Sequence, residues 1–423
     1  MWKLSAVAML LCALSGVSRT LAYRVGDEQC LLSETNQCAV DSLTPSALDS
    51  STYFFQVFPK QEKKKVMIYF QGGGACTGGD TCSFSLQCSL GESSTFSTVA
   101  RASSGGLLNR TNPDNLFKDW NIIHVPYCTG DLHVGNAVRN TTEGIFEAVL
   151  NQPECRGRNM STHMVGYENT QAALKWALAN YPNPEHLIVG GASAGSLAAQ
   201  AVSALVADMW KVKDSSIRYS VLGDSYVGVL PEDKTPSGVV LDYYGACDVD
   251  LNLPTTIVDA CKAKTLTVVQ LMSAILKEES FSDWLFIDSK ADKTQRYFYQ
   301  LVKDGILGYP FPNLISGDAF FKEMTTMIDA YKTVTSRLST FFVEGEKHVF
   351  LGDENYTSVV SDSGAKLGAF ISEWLLPHNA SASSQSGGSG SPTTAPASGS
   401  AASTTLLSGA AAFVAVTLAL VSA

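Results

Sequence analysis

Histidine is scarce in this 423-residue chain, six in all, and thirty basic residues face forty acidic ones for a net charge of −10. With no basic patch, no RNP-type motif and no zinc-finger spacing, nucleic-acid binding is excluded as the expected role. Lys3 and Arg19 leave with an N-terminal export segment, which makes the mature chain more acidic still. No low-complexity tract dominates, and no internal repeat or long linker interrupts the stretch from Tyr23 to His378. That sets aside a disordered polymer and a repeat array. Cys76-x5-Cys82-x5-Cys88 lacks the short spacing of zinc ligands, so no metal is expected. What is present is a chain 45% hydrophobic with 34 Gly and 10 Cys, enough to build a large core.

The two ends read as addresses. Residues 1–22 place Lys3 before an apolar run from Ala6 to Leu14, and Thr20-Leu21-Ala22 resembles a small-x-small cleavage site. This is the pattern of a secretory signal peptide, its apolar run too short for a bilayer. Residues 379–405 are a Ser/Gly/Thr-rich stalk, followed by an uncharged apolar tail at 406–423. Small residues, a polar spacer and a terminal apolar run make up a GPI-attachment signal, with attachment expected between Ser389 and Ser398. Secretion agrees with the cysteines, nine of which remain once Cys12 is removed; they are expected to form disulfides, one thiol staying unpaired. Five Asn-x-Ser/Thr sites, at Asn109, Asn140, Asn159, Asn355 and Asn379, suit glycosylated surface loops.

Between the ends, residues 23–378 are expected to form one α/β domain. Val66–Phe70, Trp120–Val125, His186–Gly190, Tyr219–Leu222, Trp284–Ile287 and Thr340–Val343 are short apolar, β-rich runs. Asn169–Tyr181 has helical spacing before Pro182, and Leu197–Leu205 is a small-residue helix. Strands alternating with helices predict a mostly parallel sheet with helices on both faces, its loops stapled by disulfides.

One constellation carries chemistry. Gly191-x-Ser193-x-Gly195 follows the His186–Gly190 strand and opens the small-residue helix, the context of a nucleophile elbow. A serine nucleophile needs a base, and in an α/β-hydrolase the chain order is Ser, acid, His. Only His348 and His378 lie far enough downstream, and His378 borders the stalk, so His348 is the expected base. Asp288, Asp292 and Asp224 are the candidate acids, and spacing leaves Asp288 and Asp292 level. The oxyanion donors expected are the N–H groups of Ala194, after the nucleophile, and of Gly73 and Gly74 in the Gly72-Gly73-Gly74 turn. That turn is not a phosphate loop, since no Gly-Lys-Ser/Thr follows it.

These residues resemble the pectin acetylesterase and Notum carboxylesterase family. Gln71-Gly72-Gly73-Gly74-Ala75-Cys76 is similar to its Glu-Gly-Gly-x-x-Cys turn, and Tyr127-Cys128-Thr129-Gly130-Asp131 to its Tyr-Cys-(Thr/Ser)-Gly-Asp segment. Gly191–Gly195 matches its elbow, and Asp292-Lys293-Thr294-Gln295 its Asp-x-x-Gln, which implies Asp292 as the acid. The likeness spans roughly residues 55 to 375 and is nearest to microbial and protist members; Gly74 stands where animal Notum carries Trp. It implies an α/β-hydrolase-like fold and a cofactor-free serine carboxylesterase with the triad Ser193, Asp292 and His348. Tyr127, Asp131 and His133 are implied to border the substrate cleft. The substrates implied are an acylated polysaccharide or, as the alternative, a protein-linked lipid ester. A non-catalytic surface binding protein on the same fold is the third reading.

Overall fold

The computed structural model describes residues 38–39, 54–75, 105–127, 129–141, 160–305 and 311–377. The signal segment, the stalk and the tail lie outside the described residues, as do His378, Asn159, Asn379 and the side chain of Asn140.

Runs that are apolar at every position become strands buried on both faces, because a parallel sheet covered on each side shows water neither set of alternate side chains. Val66, Ile68 and Phe70 of β3 (Lys65–Phe70) enter one hydrophobic cluster, and Met67 and Tyr69 enter the other. β9 (Asp283–Ser289) divides in the same way, Trp284 and Phe286 to one side and Leu285 and Ile287 to the other. The remaining strands are β1 (Cys38–Ala39), β2 (Phe54–Phe58), β4 (Asn121–Val125), β7 (His186–Ala192), β8 (Arg218–Asp224) and β10 (Leu338–Val343). They form an eight-stranded sheet in the order β1-β2-β4-β3-β7-β8-β9-β10. From β4 to β10 every neighbouring pair is parallel, while β2 runs antiparallel to β4 at the edge. β5 (Ala137–Thr141) and β6 (Met160–Met164) make a separate antiparallel pair.

One face is covered by α1 (Gly166–Asn180), α2 (Ala194–Met209), α5 (Val268–Glu278) and α7 (Gly317–Val334). α3 (Ser237–Tyr244) and α4 (Thr255–Lys262) pack beside them, and the Cys247–Cys261 disulfide, with Cα atoms 5.5 Å apart, joins the 3-10 turn after α3 to α4. The opposite face is covered by α8 (Leu367–Trp374) and by Phe117, Trp120, Phe350 and Leu351. α6 (Lys293–Asp304) lies between β9 and α7 in the chain. The expected parallel sheet with helices on both faces is therefore present. The antiparallel edge and the α3–α4 pair were not read from the sequence.

Of the cysteines expected to pair, Cys247 and Cys261 do so, while Cys30, Cys76, Cys82, Cys88, Cys128, Cys155 and the side chain of Cys38 lie outside what the structure describes. Asn355 is exposed, as a glycan acceptor must be, whereas Asn109 uses its amide Nδ2 to bond Glu354 Oε2 at 2.8 Å. No helix among the described residues is long and apolar enough to cross a membrane.

Glu279, just past α5, is 3% exposed, and burial pushes its carboxyl from the ordinary 4.5 up to about 8. The native state thus holds this proton at pH values where the unfolded chain has lost it. Its stabilising effect is complete below about pH 4.5 and declines as pH rises toward 8. Glu279→Gln should flatten that decline, gaining about 2–4 kcal/mol on wild type between pH 5 and pH 9 in urea unfolding. Parallel stability curves for the two proteins would contradict this.

Candidate active site

Ser193 sits between β7 and α2 in a backbone conformation of φ 55° and ψ −121° that a side-chain-bearing residue rarely adopts. The turn is tight because three chains meet there. A Cβ on Gly195 would lie 2.0 Å from the Phe70 carbonyl oxygen, and one on Gly191 2.3 Å from that of Gly195. One on Gly72 would stand 2.6 Å from the Ala192 oxygen and 2.8 Å from Ser193 Cβ. Glycine at these positions answers to contact distance. The glycine-rich turn after β3 and the elbow after β7 are thereby pressed against each other. Gly74 in that turn has φ 79°, a second reason for glycine. Ala194 opens α2, where helix geometry leaves its N–H without an intrahelical acceptor.

The parallel register brings the strand ends level. Ala192 pairs with Asp224, Asp224 with Ile287, and Ile287 with Phe341, so the loops after β7, β8, β9 and β10 all leave from the carboxyl edge of the sheet. This is where ligands bind in open α/β sheets. After β9 and β10 the two chains continue side by side: the N–H groups of Lys290, Ala291 and Lys293 donate to the carbonyls of Val343, Gly345 and Glu346 at 2.9, 3.0 and 3.2 Å. Arg296 adds an ion pair to Glu346 at 2.8 Å. That run of bonds carries Asp292 to His348, whose Nδ1 lies 2.7 Å from Asp292 Oδ2.

Asp292 is fully buried and caps α6, its Oδ1 accepting the Gln295 N–H at 3.0 Å. The Gln295 amide Nε2 donates to Asp292 Oδ2 at 3.0 Å and to Asp288 Oδ1 at 2.7 Å. Burial, then the charge of Asp292, pushes Asp288 well above the usual carboxylate range, which favours its neutral form. Spacing left these two aspartates level; in the structure His348 bonds Asp292. Asp224, the third candidate, directs both oxygens at the backbone of residues 350 and 351. With Nδ1 donating to a carboxylate, the neutral imidazole leaves Nε2 as the acceptor. That Nε2 is buried and has no hydrogen-bond partner, Ser193 Oγ included. The acid and the base are in contact, and the hydroxyl-to-imidazole bond is open.

Tyr127, Asp131 and His133, expected at the cleft, are interior residues at 1%, 0% and 2% exposure. The loop that carries them folds beneath the Gln71 turn. His133 Nε2 donates to the Gln71 carbonyl at 2.9 Å, Tyr127 N–H donates to Gln71 Oε1 at 3.1 Å, and the Tyr127 and His133 rings meet at 4.6 Å. Burial lowers His133 to about 4, so it is neutral at physiological pH and braces the turn as an uncharged donor. Asp131 accepts from Thr129 Oγ1 at 2.6 Å, from His133 N–H at 3.1 Å and from Gly166 N–H at 2.8 Å, at the start of α1. Gly135 and Gly166 leave room for its carboxylate, since a Cβ on either would approach it to 2.3 Å. A structural role for His133 was the alternative the sequence offered, but not its partner, the Gln71 carbonyl; that the Gln295 side chain joins two aspartates was not read from the sequence. Among the described residues no cluster of His, Cys, Asp or Glu is disposed to hold a metal ion.

A serine at a strained strand-to-helix turn and an Asp–His pair in loops leaving the same carboxyl edge of a parallel sheet are the layout of an α/β-hydrolase. Residues 46–221 match the pectinacetylesterase family, which indicates a carboxylic ester hydrolase. Two crystal forms of the Wnt deacylase Notum from Drosophila have a similar fold, at TM-scores of 0.54 and 0.51. They are 13% and 14% identical in sequence, over 80% of this chain and 91% of theirs. No protein of curated function matches the sequence.

Gly195→Ala should lower stability by about 3 kcal/mol, because the new methyl meets backbone on a central strand. Gly352→Ala, with nothing within 4 Å of its added Cβ, is the control and should melt like wild type. Thermal unfolding of the pair checks this, and equal melting would contradict the close approach.

Proposed function

We propose that the chain is a secreted serine carboxylesterase in which Ser193, His348 and Asp292 form the catalytic triad. The observation that carries this reading is the 2.7 Å bond from His348 Nδ1 to Asp292, which leaves a buried imidazole nitrogen free as a base at the sheet edge that bears Ser193. In the reaction His348 Nε2 takes the Ser193 proton as Oγ attacks an ester carbonyl. The N–H groups of Gly73, Gly74 and Ala194 receive the oxyanion, each donor worth about 3–4 kcal/mol of transition-state stabilisation. The carbon–oxygen bond to the alcohol then breaks, and the alcohol leaves with the proton from His348. Water attacks the acyl-serine, His348 takes its proton, and the carboxylic acid departs as Ser193 recovers its hydrogen. Asp292 holds the tautomer throughout and offsets the charge of the imidazolium.

The substrate this reading favours is an O-acetylated polysaccharide. Two things support it: the pectinacetylesterase match, and Gly74 at the turn beside the nucleophile. A net charge of −10 opposes a polygalacturonate chain unless the groove is locally basic, so a neutral polymer suits this protein better than pectin. The N-terminal apolar segment and the Cys247–Cys261 disulfide support export, and the stalk with its apolar tail supports GPI tethering at the cell surface.

Hydrolysis of p-nitrophenyl acetate by the ectodomain should fall about 10⁴-fold in Ser193→Ala and by a similar factor in Asp292→Asn. Wild-type rates in Ser193→Ala would overturn Ser193 as the nucleophile, and no hydrolysis with no Ser193-dependent labelling by a fluorophosphonate would leave a binding protein instead. On a nitrophenyl series, acetate should be preferred to long acyl chains by at least about tenfold in kcat/KM. The opposite order would transfer the assignment to a lipid-ester deacylase.

A further inference from the structure

The dipeptide Asp224-Ser225, where β8 ends, bonds Ser193 itself, the strand that leads to Asp292 and the segment after His348. The Asp224 carbonyl accepts the N–H of Ser193 at 2.8 Å, and Ser225 N–H donates to Ile287, in the strand that precedes Asp292, at 2.8 Å. Their side chains turn to the segment after His348. Ser225 Oγ accepts the Val349 N–H at 2.7 Å while donating to Asp224 Oδ1 at 3.0 Å. Asp224 takes the N–H of Phe350 at 2.9 Å and 3.1 Å through its two oxygens, and that of Leu351 at 2.7 Å.

Three consecutive backbone N–H groups therefore converge on one buried carboxylate and one buried hydroxyl, both residues being 0% exposed. A turn of this kind needs support. Val349 has φ 55° and Ser225 φ 60°. The left-handed region is a poor place for a β-branched side chain, and Val349 stays there only while its surroundings hold it. Leu351 is fixed further by its carbonyl, which accepts the Leu107 N–H at 2.8 Å, and Phe350 and Leu351 are both fully buried. Asp224 was a candidate acid in the sequence, but its oxygens are taken up by this segment, and His348 bonds Asp292.

We propose that Asp224 and Ser225 are positioning residues which, by capturing the N–H groups of Val349, Phe350 and Leu351, hold the His348 imidazole in register with Ser193 and Asp292. The inference deepens the esterase reading and rests on it for its kinetic consequence, though not for its structural one. Neither residue touches the substrate carbonyl or the reacting oxygen. Their effect is on where the imidazole stands, so the chemical step is affected and ground-state binding is spared.

The test uses the ectodomain carrying Ser225→Ala or Asp224→Asn. Ser225→Ala frees one N–H, while Asp224→Asn replaces an acceptor with a donor that opposes the rest. With p-nitrophenyl acetate, kcat should fall about tenfold in the first and about 100-fold in the second, with KM within about twofold of wild type. In the same samples the downfield proton resonance of the His348–Asp292 hydrogen bond should shift or broaden, while circular dichroism stays that of the native protein. Folded variants with wild-type kcat and an unmoved resonance would overturn the proposal. So would a fall in activity that merely tracks the unfolded fraction. If Asp224→Asn does not fold, Ser225→Ala decides, because it keeps the carboxylate. Should wild type hydrolyse no ester while Ser225→Ala still moves the resonance, the esterase reading falls and the positioning role stands.

Discussion

The architecture of the site depends on a contact that leaves no space for a side chain. Phe70 at the end of β3 and Gly195 at the start of α2 approach until a single methyl group would overlap a carbonyl oxygen at 2.0 Å. Because of that approach the Gly72–Gly74 turn lies against Ser193. The strained φ of Ser193 results from it, for the chain must reverse from strand to helix within one residue. The brace beneath it, His133 on the Gln71 carbonyl, keeps the turn from relaxing away.

Charge is handled by burial and pairing. Three aspartates crowd the carboxyl edge of β8 and β9, and they cannot all be ionised cheaply away from water. Asp292 is served by His348 and by two donors from Gln295. Asp288 is held well above the normal carboxylate range, and burial lifts Asp224 to about 6 against the pull of its N–H partners. The hydrogen bond of the His348 imidazole thus goes to one carboxylate of the three, Asp292. The other two act on the backbone and on the Gln295 amide.

Elements whose residues answer to local rules were legible. β3, β7 and β9 read as apolar runs and β8 as one broken only by Ser220, and α1 ends near the tyrosine before Pro182, within a residue of its expected limit. The elbow was legible too, as a Gly-x-Ser-x-Gly pattern between an apolar run and a small-residue helix, although what excludes a side chain at Gly195 is the distant Phe70. The antiparallel β2 was not, because nothing in Phe54–Phe58 records which strand it will pair with or in which direction. Tyr127, Asp131 and His133 were placed at the cleft through the family resemblance, and their side chains lie inside. Polar side chains in a loop give no sign of whether water or another loop will meet them.

The sequence by itself determined the alternation of strands and helices, the tight turn at Ser193 and the short roster of bases and acids, since each is set by residue type and spacing along the chain. That His348 meets Asp292 was implied by the family resemblance but not by spacing, and the tertiary structure supplies the contact; that Asp224 grips the segment beyond it only the tertiary structure decided. Those bonds span 56 and up to 127 positions. Partners that far apart are chosen by the register of parallel strands and by burial, which no local pattern encodes.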